Sequence, residues 1–216
     1  MNKALGTVLY MVILTAVFTG AVTVVGEATK DRIAVNESLT ERRKILLALG
    51  VTEDERLSAG EVERVFRNNI REMPWKGHER AVYGRLNERG VAEAYAFPIE
   101  GPGFWGPIYG YLGVSADGAE IIGLVFIRHS ETPGLGARIE ELWFRKQFQG
   151  KSIKPSGGTS ALSFVAQGRE LDERSVHAIT GATQTSRALE RFLDEDLKEI
   201  HRAFEQGGLS LGEGVR

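Results

Sequence analysis

Cysteine is absent from the 216 residues, which excludes disulfides, thiolate zinc sites, iron–sulfur ligation and a cysteine nucleophile. Histidine is scarce, with four copies, too few for a metal-binding tract. Net charge is nearly absent too. Twenty-seven Lys and Arg against 29 Asp and Glu leave −2, so there is no electrostatic case for a nucleic-acid partner. No nucleophile elbow links the serines, histidines and aspartates, and no internal repeat is visible. No nucleophile motif and no metal tract is therefore expected. What the chain does have is length for one domain plus extensions, with a sizeable core.

The first thing present is a long apolar run. Ala4 to Gly26 contains 23 residues without a charge, between Lys3 and Glu27. A hydrocarbon core about 30 Å thick needs about 20 helical residues, so the run can span a bilayer. A signal peptide would have a shorter apolar region and an A-x-A-like cleavage site, so an uncleaved anchor is expected over residues 1–28. Lys30, Arg32, Arg42, Arg43 and Lys44 follow the span and only Lys3 precedes it. That asymmetry favours a cytoplasmic carboxyl side, although long domains translocate largely regardless of charge.

Residues 29–79 read as a helical stalk or extension. From Lys30 to Leu49 charged residues alternate with Ile33, Leu39, Ile45, Leu46 and Leu49, up to Gly50, a helical pattern continuous with the span. Ser58 and Glu61 form a capping-box signature ahead of Val62, Val65, Phe66 and Ile70, with Pro74 expected to close that helix. From residue 80 to 206 a domain of strands followed by helices is expected. Strand alternation covers Val91 to Pro98, a second strand Ile108 to Val114, and Asp117-Gly118 joins it in a hairpin to Ala119–Arg128. Leu135 to Phe148 reads as a helix closed by Gly150, Lys151 to Thr159 as a polar loop and Leu162 to Gln167 as a short last strand. The tail 207–216 has no packing pattern and is expected to be disordered. The fold class is α+β: one N-terminal transmembrane helix, then a mainly antiparallel sheet flanked by helices.

Ser175 to Arg187 concentrates small and hydroxyl residues just before an amphipathic helix marked by Leu189, Phe192, Leu193, Leu197, Ile200 and Phe204. Thr180, Gly181, Ala182, Thr183 and Thr185 therefore sit at a helix start, where unpaired N–H groups and the dipole favour an anion such as phosphate. The plainer reading makes Thr183 or Thr185 an N-cap.

Two further stretches stand out. Gly101-Pro-Gly-Phe-Trp-Gly106 matches the dinucleotide fingerprint literally, but two prolines interrupt it and a strand follows instead of a helix. It is either a tight strand connection or a ligand contact through the broad face of Trp105. In His129-Ser-Glu-Thr-Pro-Gly-Leu-Gly136, Glu131 and Thr132 offer polar groups at a strand end, Pro133 and Gly134 turn the chain, and Leu135 offers an apolar surface. This is either a capped turn or a loop that bonds a ligand's polar edge. His129 and Glu131 lack a third metal ligand.

Thr180-Gly-Ala-Thr183 resembles the flavinylation motif of FMN-binding domains, in which the last threonine is joined to FMN by a phosphoester. The family usually has Asp six residues earlier, where this chain has His177. Together with Glu131-Thr-Pro-Gly-Leu-Gly136, Gly103-Phe-Trp-Gly106, Tyr109-Gly-Tyr111, Trp143-Phe144 and Gly150-Lys151, it makes residues 80–204 similar to the FMN-binding subunit of the Na+-translocating NADH:quinone oxidoreductase. The corresponding FMN-binding subunit of Rnf electron-transport complexes is a near relative. The resemblance implies covalent FMN on Thr183, with a pocket from Glu131, Thr132, Gly134, Leu135 and Trp105. It further implies a single-pass protein of the bacterial inner membrane, its domain on the periplasmic side, in contact with the lipid bilayer. Other membrane subunits of the redox complex and a flavin transferase would be its partners. A standalone anchored FMN carrier and a non-redox ligand-binding domain are the alternatives.

Overall fold

A computed structural model describes residues 3–54, 56–75, 77–154 and 161–206. The chain divides into two compact units, Met1–Thr40 and Glu41–Arg216. The described residues of the first all belong to helix α1 (Lys3–Ala48), whose apolar stretch is long enough to cross a membrane and has no buried residue. No cap or proline interrupts α1, in keeping with its continuous apolar and then charged helical pattern.

The second unit is built on an antiparallel meander. Its strands are β1 (Ile70–Met73), β2 (Val82–Leu86), β3 (Ala92–Pro102), β4 (Pro107–Ser115) and β5 (Ile121–Arg128), in that spatial order. Gly118, at φ +66°, turns β4 into β5, while the Ser115 hydroxyl accepts the Ala119 and Glu120 amides at 3.2 and 3.1 Å. The hairpin thus forms at Asp117-Gly118, with its second strand starting at Ile121 instead of Ala119.

Both faces of the sheet are covered, so β3 is buried over most of its length instead of alternating. On one face Phe97, Ile99, Ile108, Leu112 and Phe126 meet Leu189, Phe192, Leu193 and Leu197 of α4 (Thr183–Glu205), with Phe144 and Phe148 beside them. On the other, Ala94, Ala96, Tyr111 and Val125 meet Ile45, Leu46 and Leu49, and Val62 of α2 (Ala59–Asn69). Ser58 caps α2 with the reciprocal Glu61 bond of a capping box.

Three expectations need correction. The capped helix does not run to Pro74: it stops at Asn69, because Ile70–Met73 pairs with Val82–Arg85 of β2 and the Ile70 amide closes the helix on Phe66. Leu135–Phe148 is not one helix. A 3-10 turn (Gly136–Glu140) and a short α3 (Leu142–Lys146) are separated by Glu141, which is extended at ψ 140°. The last strand is not at 162–167, since β6 (Ser163–Val165) is followed by β7 (Ser175–His177), which pairs with it in parallel. Residues 155–160, within the expected polar loop, and the tail 207–216 lie outside the described residues.

Candidate functional site

Three stretches distant in sequence meet at one carboxylate. Beyond the end of β5 the side chain of Glu131 turns inward and is only 5% exposed. Its Oε1 accepts the backbone N–H of Phe104 at 2.7 Å and of Trp105 at 3.1 Å. Its Oε2 accepts the hydroxyl of Thr185, itself 3% exposed, at 2.5 Å. Hydrogen bonds to a carboxylate are about twice as strong as neutral ones, which offsets the cost of burying it.

Glycines make this junction possible. A Cβ on Gly103 would lie 2.5 Å from Glu131 Oε1, and one on Gly136 would lie 2.5 Å from both Glu131 Oε2 and the Thr185 hydroxyl oxygen. Both contacts are closer than real Cβ atoms come, so a side chain at either position would push the carboxylate out. The β3–β4 connection closes on itself through the Gly103 amide and the Gly106 carbonyl at 2.8 Å. It is the tight strand connection expected, and it also displays two aromatic rings. Trp105 is 65% exposed, and Phe104, also exposed, packs edge-on against it at 4.9 Å between centroids. Residues 100–107 line an open groove there.

At the head of α4 the N-cap position belongs to Ala182, and among the described residues no side chain caps the first turn. Neither Thr183 nor Thr185 is the N-cap, so the plainer reading of the threonines fails. Thr185 faces inward to Glu131, whereas Thr183 is exposed and its hydroxyl has no hydrogen-bond partner among the described residues. The turn leading in is held by the Ser186 hydroxyl, which accepts the Ile179 amide at 3.1 Å, and by Gly181 at φ +82°. Leu135, 45% exposed, lies over Gly181: a Cβ there would be 3.3 Å from its Cδ2. Thr180 is exposed beside Gly181.

The loop after β5 turns on the Thr132 carbonyl, which accepts the Leu135 and Ala137 amides at 3.1 Å each, with Gly134 at φ +75°. The Thr132 side chain is exposed. His129 faces Glu140 at 3.5 Å, not the Glu131 carboxylate, and its Nδ1 accepts the Glu131 amide at 3.2 Å. Among the described residues no cluster of three or more His, Cys, Asp or Glu could hold a metal ion. His177, six residues before Thr183, bonds the Arg169 carbonyl through Nε2 at 3.0 Å, and its amide donates to Gln147 Oε1 at 2.8 Å.

The structure therefore joins the loops carrying Glu131, Leu135 and Trp105 to the start of α4. Phe104, Gly103 and Gly136 gain a part in the site that their motifs alone do not assign: Phe104 adjoins Trp105, and each glycine leaves room for the Glu131 carboxylate.

Residues 103–198 match the family described as FMN-binding domain, a segment that takes in all three stretches. Its particular likeness is to the C-subunit of the Na(+)-translocating NADH-quinone reductase. It is 43% identical to that protein from Chlamydia pneumoniae over 93 residues, which are 42% of this chain and 29% of the relative. Against the Chlamydia trachomatis protein it is 37% identical over 112 residues, 48% of this chain and 35% of the relative. The match thus spans about a third of the length of these curated relatives. The crystal structure of the corresponding protein from Parabacteroides distasonis superposes with a TM-score of 0.66 at 26% identity, covering 85% of this chain and 98% of that one. The fold is shared also with NqrC of Shewanella oneidensis, at TM-score 0.64, 22% identity and coverage of 76% and 96%.

The residues present fit FMN. A phosphate needs N–H donors that no side chain has taken, and the first turn of α4 is uncapped. Thr183 adds an exposed hydroxyl with no hydrogen-bond partner among the described residues. A flat ring needs apolar walls, and Leu135, Phe104 and Trp105 present them to solvent.

Proposed function

We propose that this chain is the covalent-FMN electron-transfer subunit of a membrane-bound, ion-translocating NADH:quinone oxidoreductase, with FMN joined by phosphoester to Thr183. The observation that carries the reading is the division of labour between two threonines on one helical turn. Thr185 is buried on Glu131, whereas Thr183 is exposed, its hydroxyl and the helix start beside it having no side-chain partner among the described residues. Bound there, FMN supplies reversible uptake and release of electrons through its isoalloxazine ring. The chain's own residues bind and orient. The α4 amides and dipole stabilise the phosphate, Gly181 leaves its approach open, and Leu135 and Trp105 exclude water from one edge of the ring. Thr132, and Thr180 beside the attachment point, are the exposed hydroxyls available to polar groups of the cofactor.

Attachment calls for an activated flavin donor and hence a flavin transferase, because direct condensation of a phosphate with an alcohol is unfavourable in water. Residues 1–28 serve as the anchor, residues 29–79 as the stalk and extension, and 80–206 as the FMN domain. The domain lies on the periplasmic side of the bacterial inner membrane, where other membrane subunits exchange electrons with it. Intact-mass analysis of the chain produced with a flavin transferase tests the attachment. The parent should carry an FMN-sized increment and Thr183→Val, which keeps the shape but lacks the hydroxyl, should not. An increment retained on Thr183→Val would refute it.

A further inference from the structure

We infer that Glu131 is a positioning residue for the flavin site: it latches the aromatic Phe104-Trp105 loop to the head of α4 and does not itself contact the cofactor. The inference rests on the attachment at Thr183 proposed above.

Two features weigh against direct contact. Both carboxylate oxygens are already occupied, by two backbone amides and by the Thr185 hydroxyl, and the residue is 5% exposed. The missing side chains of Gly103 and Gly136 shape the space around it closely. The latch itself follows from what the aromatic rings lack. Phe104 and Trp105 are exposed, so core packing does not set where they stand. Their loop closes through Gly103 and Gly106 at the tip of the β3–β4 ladder, which ends with Pro102 opposite Pro107, and neither contact reaches the head of α4. Glu131 supplies the missing reference. One oxygen fixes the backbone beneath both rings, and the other fixes the residue two positions after Thr183. A single side chain thus ties the helix turn bearing the attachment hydroxyl to the aromatic wall, where misplacements of about an ångström matter for an oriented group.

The test uses the full chain in detergent. In a flavin-free Thr183→Val background, amide hydrogen exchange at Phe104 and Trp105 should accelerate about tenfold or more in Glu131→Ala. Glu131→Gln, whose carbonyl oxygen can still accept both amides, should restore protection. In the flavinylated protein, Glu131→Ala should keep the FMN mass increment while shifting the flavin absorbance and midpoint potential, and Glu131→Gln should move both back toward the parent. Should Glu131→Ala fail to fold, Thr185→Val removes only the hydroxyl and should loosen the same two amides. Unchanged exchange in these variants would overturn the latch. Released amides with an unaltered flavin spectrum and potential would overturn its positioning role. A parent chain bearing no FMN increment would instead reject the attachment reading, and the exchange measurement would still decide the latch.

Discussion

Thr183 and Thr185 are two positions apart, which on an α-helix turns the side chains about 200° from each other. One must face the domain if the other faces out, and the inward one has Glu131 waiting for it. The opposite case, burial without a partner, occurs at Asp196, on α4 but in a different place. Its Oδ2 is buried with no hydrogen-bond partner among the described residues, in a cleft shared with Glu100, Glu199, Trp75 and His78. Burial, helped by the charges of Glu199, Glu195 and Glu100, pushes its carboxyl up from 3.8 to about 7. Between those values the folded chain holds a proton that the unfolded chain has released, so stability falls as pH rises from about 4 to about 7, and the full penalty stands above that. Asp196→Asn should remove it. Thermal unfolding should show the variant more stable than the parent by roughly 1–3 kcal/mol at pH 8, with the gain vanishing near pH 4.

Helix ends and strands meet in this domain through missing side chains. Residues 45–49 pack on the sheet where β4 and β5 place Gly113 and Gly123 opposite each other. A Cβ on Gly113 would come within 1.8 Å of the Ala48 carbonyl oxygen, and one on Gly123 within 2.8 Å. Arg85 completes the contact by donating to the Leu49 carbonyl at 2.7 Å. Because the obstacle at Gly113 is backbone and cannot rotate away, Gly113→Ala should cost roughly 2–4 kcal/mol, at or above the usual overpacking range. A lowered unfolding midpoint would show it, and an unchanged midpoint would mean that the helix end shifts freely. The break at Glu141 is likewise local. Arg138 and Trp143 both bond its side chain, and Arg145 Nε donates to the Glu140 carbonyl at 2.9 Å, which supports the interrupted helix from both sides.

At the scale of the molecule, one helix among the described residues is long and apolar enough to cross a membrane, and the relatives are named as subunits of a Na(+)-translocating reductase. Together these fit a single-pass membrane protein. The charges following the span argue for a cytoplasmic domain by the positive-inside tendency, whereas the proposed function needs it outside. Protease added to spheroplasts should digest the domain, and inverted vesicles should protect it. Cleavage only in inverted vesicles would reverse the orientation.

Periodic patterns were readable from the sequence because they report local geometry. The 23-residue apolar run, the Ser58 and Glu61 box, the Asp117-Gly118 hairpin and the amphipathic α4 all depend on residues within a few positions of each other, and all are present. The three motifs that meet at the site were also legible as unusual stretches, each by its own composition. Their junction was not, since it depends on a carboxylate bonding amides 27 and 26 residues away and a hydroxyl 54 residues away. The same limit explains Ile70, whose helical spacing was overruled by its pairing with β2, and β7, whose three residues become a strand only beside β6. Which segments are apolar, helical or tightly turned, and that Thr180 to Thr183 heads a helix, follows from residue order alone. That Thr185 is spent on Glu131, while Thr183 has no partner among the described residues, emerges only in the folded domain, because a hydroxyl's availability depends on what the fold places opposite it.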